Sequence, residues 1–227
     1  GFKLNSRNKK MVSTLIVMYT LGPIFVGLLV IAITFALGKK ISTDELTHIV
    51  SCLIYAVLGI VAVKLYGKTI YKDIADRDSK KAWFFQTFAF SVLYLLINLI
   101  FTNVLYYING KMLTENEMII DSINDSGILL QLLSVIVVCV IGPVVEEILF
   151  RYIYQNWLIS KIPFLNGYLA VILVAVSFGV MHSGFSLLEL SYYSLLGMLL
   201  GVIYKKTDSI AMVIIIHVVN NTVGTLL

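Results

Sequence analysis

The sequence predicts an all-α protein: a polytopic transmembrane helix bundle of about seven crossings, with six to eight as the range that the segment boundaries allow. Three observations predict it. Of 227 residues, 59% are hydrophobic and 13% charged, whereas a soluble domain is nearer half apolar and a quarter charged. Mean hydropathy is +0.93. The apolar residues also fall in runs near the roughly 20 residues that one crossing requires. In lipid every backbone polar group must be satisfied within the structure, which leaves helices or closed barrels, and runs this long are helices.

The first predicted crossing runs from about Met11 to Leu37, too long and too continuous with the chain beyond it for a cleaved signal peptide. The second is about Thr47 to Tyr66 and the third about Trp83 to Ile108. The fourth is a long segment from about Gly127 to Ser160, which a break at Gly142-Pro143 would divide into two. The fifth is about Phe164 to Ser183, the sixth Leu187 to Tyr204, and the seventh Ser209 to Leu227. The connections are short and polar, so residues 1–227 read as a single integral membrane domain. No internal repeat stands out.

Charge orients the bundle. Lys3, Arg7, Lys9 and Lys10 precede the first crossing, and Lys68, Lys72, Arg77, Lys80 and Lys81 lie beyond the second. Lys161, Lys205 and Lys206 fall on the same side. The opposite side holds Lys39, Lys40, Lys111 and the acidic loop with Glu115, Glu117, Asp121 and Asp125. The positive-inside rule puts the N-terminus in the cytoplasm. The net charge of +4 suits membrane orientation rather than nucleic-acid binding. Cys52 and Cys139 lie in apolar runs without metal-ligand spacing and read as small buried hydrophobes.

A few residues do not belong in hydrocarbon, and ionisable groups there face the bundle interior. They are Glu146, Glu147 and Arg151 on the fourth segment, His182 on the fifth, and His217 with Asn221 on the seventh. Residues four apart share a helix face, while neighbours diverge by about 100°. Glu147 and Arg151 are four apart and pair; Phe178 and His182 repeat the interval, as do His217 and Asn221. Glu146 has no local cation and needs partners from other helices, and the two histidines are the candidates. Taken singly, each has a bland reading: His182 as a packed histidine, His217 and Asn221 as interhelical glue. Glu146 has none.

These motifs, EEILFR (Glu146 to Arg151), FGVMH (Phe178 to His182) and HVVNN (His217 to Asn221), resemble in type and order those of the CPBP family, the CAAX prenyl endopeptidases and bacteriocin-processing enzymes also called the ABI family. The resemblance implies intramembrane peptide-bond hydrolysis, with the catalytic motifs in 143–227. Glu146 would be the general base that activates water, helped by His182. His217 and Asn221 would stabilise the oxyanion. Glu147, Arg151 and Phe178 would support the site.

No cofactor is expected from this reading. Zinc held by Glu146, His182 and His217 is the alternative, since three such ligands make an open site, although the helical HExxH signature is lacking. The implied partners are membrane lipid and a peptide or protein substrate, prenylated or bacteriocin-like, with no nucleic acid. The implied setting is a bacterial plasma membrane, with a role in bacteriocin immunity, peptide maturation or membrane-protein regulation. An inactive immunity or scaffold protein with the same fold is the competing expectation.

Lesser features have structural readings. Gly197 and Gly201 form a small-xxx-small packing motif. Ser177 and Ser183 read as small residues that allow close helix contact. Glu189, Tyr192 and Tyr193, at the outer end of the sixth crossing, read as an interfacial belt, with a substrate vestibule as the alternative. His48 reads as interfacial.

Overall fold

The computed structural model describes residues 6–37, 43–110, 127–183 and 186–226, and no strand occurs among them. Lys3, Lys39, Lys40, Lys111 and the acidic loop with Glu115, Glu117, Asp121 and Asp125, used above for orientation, lie outside the described residues. The helices are α1 Ser6–Leu37, α2 Thr43–Ala75, α3 Lys80–Asn109, α4 Ile128–Lys161, α5 Tyr168–Ser183, α6 Leu187–Thr207 and α7 Ile210–Leu226. Six are long and apolar enough to cross a membrane, and α7 is a shorter apolar helix of the same kind. The chain is an integral membrane protein.

The packing is that of a lipid-solvated bundle. Ile24, Leu28, Ile31, Phe35, Phe84, Phe88 and Leu99 all project outward, because hydrocarbon is as apolar as their side chains and does not drive them inward. The interior holds the polar minority. Glu147, Arg151 and Gln155 are fully buried, and Glu146 and His217 nearly so. α1 runs along α2, α5 along α6, and α7 against α3.

Small residues set the closest approaches. A Cβ on Gly201 would lie 2.8 Å from both Gln155 Oε1 and Val171 Cγ1, and one on Gly197 would lie 3.1 Å from Phe178. The predicted small-xxx-small contact is therefore the seam of α6 with α4 and α5. Gly179 makes the matching contact from α5, since a Cβ there would lie 2.2 Å from Ser194 Oγ. The Ser177 and Ser183 hydroxyls donate to the carbonyls of Leu173 and Gly179, one turn back on their own helix.

The fourth segment does not split at Gly142-Pro143. α4 continues through it by widening into π-helix over Val137–Ile141, and again over Ile148–Gln155. Proline inside a helix clashes with the preceding turn and lacks an N–H, and a π turn is one way to absorb it. In this register the Gly142 N–H bonds to Val137 O, five residues back. The next carbonyl, Val138, would need the N–H that Pro143 lacks. The turn between the two π stretches carries Glu146 and Glu147.

Polar capping ties the ends of three helices together. The N-cap Ser79 of α3 accepts from Ala82 N, and Gly110, at φ 65°, closes α3 in the left-handed conformation that glycine adopts freely. At the start of α7, Ser209 Oγ accepts from Met212 N at 3.2 Å. The Asp73 carboxylate of α2 accepts from Ser209 Oγ and Ala211 N, both at 2.8 Å. An anion there complements the positive end of the helix dipole. Arg77 pairs with Asp73 and donates to the Thr207 and Asp208 carbonyls, and Trp83 Nε1 donates to Ser209. These bonds fix the base of α7, which carries His217 and Asn221.

Candidate active site

Three helices deliver the site. α4 supplies Glu146 and Glu147, α5 supplies His182, and α7 supplies His217 with Asn221. Glu146 Oε1 lies 3.5 Å from His182 Nε2, and its Oε2 lies 3.8 Å from His217 Nε2. The carboxylate without a local cation thus meets both imidazoles, as the spacing predicted. All five residues but Glu147 line one cavity of about 500 Å³.

Glu147 does more than pair with Arg151. Its Oε1 lies 2.7 Å from His217 Nδ1, while Oε2 lies 3.2 Å from Arg151 Nε. The arginine contact is close but poorly aligned, and neither Nε nor Oε2 completes a hydrogen bond. It is best described as a charge contact, which depends on distance more than angle. Arg151 also donates to the Gly197 carbonyl at 2.9 Å and lies 4.8 Å over the Phe178 ring. One turn along, Gln155 repeats the pattern, donating to the Gly201 carbonyl at 2.9 Å. Gln155 was missed from sequence, and its position four residues after Arg151 was the available signal.

Adjacent carboxylates diverge on a helix, and here the divergence lets them address two edges of one ring. Glu147 holds the Nδ1 edge of His217 and Glu146 faces the Nε2 edge. Glu147, ion-paired with Arg151, is an acceptor, so Nδ1 carries the proton and Nε2 is left bare in the neutral ring. His182 is fixed in the same sense. Its Nδ1 lies 2.8 Å from Phe178 O, a carbonyl that can only accept, so Nδ1 carries a proton and Nε2 is the edge that faces Glu146. Its ring stacks 4.0 Å from Phe178. Two imidazole Nε2 atoms therefore converge on one carboxylate.

The remaining wall comes from helices outside the three motifs. The Tyr19 hydroxyl of α1 donates to Glu146 Oε1 at 3.4 Å, and Tyr55 and Tyr94 also line the cavity. Sequence reasoning did not single these out, because tyrosines in apolar runs give no positional signal. Tyr192 and Tyr193 are buried in the cavity wall, with the Tyr193 ring 5.3 Å from His182. The interfacial-belt reading is thereby replaced by a place in the cavity wall. His48 lies on the same cavity, near the start of α2.

Two openings approach the site. The cavity extends past Thr47, His48 and Ser51 toward the end of the bundle where α2 begins. A second, apolar groove of about 590 Å³ runs between α1, α4 and α5, from Lys9 and Trp157 to Tyr19 and Met181. Tyr19 and Met181 belong to both, and they form the partition between groove and site.

Two imidazole nitrogens and a carboxylate are ligands that zinc accepts. Among the described residues, however, no group of three His, Cys, Asp or Glu side chains is disposed to hold an ion.

The bundle thus holds a carboxylate and two imidazoles in one interior cavity. Residues 128–223 match the family model described as type II CAAX prenyl endopeptidase Rce1-like, and all three motifs lie inside that segment. Over 90 residues the chain is 33% identical to "Putative membrane peptidase YdiL" of Bacillus subtilis (strain 168), which covers 40% of this chain and 35% of that protein. The chain thus spans about a third of the length of the curated relative it matches. No solved structure matches the chain.

Proposed function

We propose that this protein hydrolyses a peptide bond within the membrane, with water activated by Glu146. The observation that carries the reading is the Glu146 carboxylate set in a cavity between His182 Nε2 and His217 Nε2 at 3.5 and 3.8 Å. Water held there gives its proton to Glu146 while its oxygen attacks the substrate carbonyl. His182 helps hold the water and passes the proton toward the leaving amine. In its protonated form His217 spends one N–H on Glu147 and offers the other, on Nε2, to the developing oxyanion. Asn221 adds an amide donor. Preorganised donors of this kind are each worth about 3–4 kcal/mol of transition-state stabilisation.

The two openings divide the work. Water reaches Glu146 along the polar wall at Thr47, His48 and Ser51, and the apolar part of the substrate lies in the groove between α1, α4 and α5. The setting is a bacterial plasma membrane with the N-terminus in the cytoplasm. The substrate is a peptide or protein, prenylated or bacteriocin-like, in immunity, maturation or regulation.

The test uses the purified full chain in lipid nanodiscs with quenched fluorescent peptides, one farnesylated at a C-terminal cysteine and one an unmodified leader peptide. Glu146→Gln is compared with the wild type, with and without chelator. The expected result is cleavage that falls by about 10²–10⁴-fold in Glu146→Gln, the usual contribution of a general base, and that survives chelation. Equal cleavage by Glu146→Gln overturns the role of Glu146. Loss on chelation, restored by zinc, transfers the chemistry to a metal at Glu146, His182 and His217. A wild-type chain that confers bacteriocin immunity and does so equally as Glu146→Gln is a scaffold rather than an enzyme.

A further inference from the structure

Asn98 sits mid-way along α3, half-buried and behind the cavity wall, outside every motif described above. It belongs to a chain of side-chain hydrogen bonds that ends at the site. Asn98 Nδ2 donates to Asn220 Oδ1 at 2.7 Å. Asn220 Nδ2 donates to Asn221 Oδ1 at 3.4 Å, and Asn221 Nδ2 donates to Val138 O at 3.0 Å. Behind Asn98, its Oδ1 accepts from the Tyr192 hydroxyl and from Thr102 Oγ1.

The direction of this chain is set by its last member. A backbone carbonyl only accepts. Val138 O is open to a side chain because its partner in the π register would be Pro143, which has no N–H. Asn221 must therefore turn its nitrogen to Val138, which commits its oxygen to Asn220. Asn220 must then turn its nitrogen to Asn221 and its oxygen to Asn98. Asn98 is oriented in the same sense, its oxygen facing the Tyr192 hydroxyl. Each amide oxygen is taken by a donor, while each NH2 group has a second hydrogen beyond the one used in the chain. Asn220 and Asn221 both line the cavity. Each amide nitrogen therefore has an N–H left to offer the cavity.

We propose that Asn98 and Tyr192 are positioning residues that fix the amide orientation of Asn220 and Asn221, so that their spare N–H groups are held ready for a substrate oxyanion. The inference rests on the catalytic reading above. It extends the site to α3, a helix that carries none of the three motifs.

Asn98→Asp is the discriminating substitution. Aspartate has the same shape and still accepts from Tyr192 and Thr102, but it cannot donate to Asn220. The Asn220 amide then turns its NH2 toward the aspartate and its oxygen toward Asn221 Oδ1, which breaks the chain. The expected effect is a fall in kcat of about 10–100-fold, below the full loss of an oxyanion donor, with KM changed less than about 2-fold. A merely structural role would lower stability and leave kcat per folded molecule unchanged.

A second readout needs no substrate. In asparagine-labelled protein, the side-chain amide resonance of Asn221, assigned by its disappearance in Asn221→Asp, is expected to move in Asn98→Asp. An unmoved resonance overturns the proposal whatever the activity, and a moved resonance with unchanged kcat overturns it as a catalytic device. Should the wild type cleave nothing, or Glu146→Gln cleave as well as the wild type, the catalytic reading fails while the amide orientation is still decided by the resonance. If Asn98→Asp does not fold, Asn220→Asp carries the same test, because it keeps the acceptor that Asn98 needs and removes only the donor to Asn221.

Discussion

Replacing Glu147 with glutamine removes one charge from a buried pair and keeps the side-chain volume. Glu147 and Arg151 both have 0% side-chain exposure and approach to 3.2 Å. In Glu147→Gln the guanidinium keeps only the Gly197 carbonyl and the Phe178 face. An uncompensated buried charge of this kind costs about 3–5 kcal/mol. Arg151→Met leaves the opposite charge stranded and costs a similar amount, eased by the His217 contact. The double variant Glu147→Gln/Arg151→Met strands nothing. Its cost is the lost bond to Gly197 and some packing, about 2–4 kcal/mol. The two single costs together reach about 6–10 kcal/mol, so the cycle predicts a coupling of about 2 kcal/mol or more. The assay is equilibrium unfolding in mixed micelles, tracked by near-ultraviolet circular dichroism. Additivity within about 0.5 kcal/mol, the scatter of independent sites, would refute the claim that this pair acts as one buried unit.

Other substitutions probe separate parts of the fold. Gly201→Ala puts a methyl 2.8 Å from Gln155 Oε1 and Val171 Cγ1 and is expected to destabilise by about 1–3 kcal/mol. Gly27→Ala, where nothing lies within 4 Å, should be stabilising by about 0.5–1 kcal/mol in the same unfolding series. Asp73→Ala strips the start of α7 of a cap, and a loss of about 0.5–2 kcal/mol is expected, read as faster amide hydrogen exchange at Ala211 and Met212; unchanged exchange would mean that Ser209 alone caps the helix. Tyr19→Phe removes the hydroxyl from Glu146 but keeps the partition between groove and cavity, so kcat should fall several-fold with KM held, whereas Tyr19→Ala should also change KM for substrates with long apolar segments. Identical kinetics for the two would show that Tyr19 does not separate the two spaces.

Helix count and type were legible in the chain, since hydrocarbon solvation leaves long apolar runs one conformation. The three motifs were legible for the same reason: Glu146, His182 and His217 stand out against a background that excludes charge. Other features needed coordinates. Glu147 and Arg151 could be paired from their spacing, but the second contact, from Glu147 to His217, joins residues 70 positions apart and has no local pattern. The π turns on either side of Gly142–Glu147 were not legible, because Pro143 signals an interruption without saying how the helix absorbs it. Tyr19 and Asn98 gave no sequence signal, since a tyrosine or asparagine in an apolar run reads equally well as an interfacial or packing residue.

The sequence by itself determined that this is a membrane helix bundle and which few side chains are too polar to face lipid, because both derive from the transfer cost of each residue taken alone. Only the tertiary structure decided which nitrogen of each histidine faces Glu146, that Val138 is left open by Pro143, and that α1 and α3 reach the site. Those outcomes depend on which helices pack together and at what rotation, and contacts between distant segments carry no periodicity from which to read them.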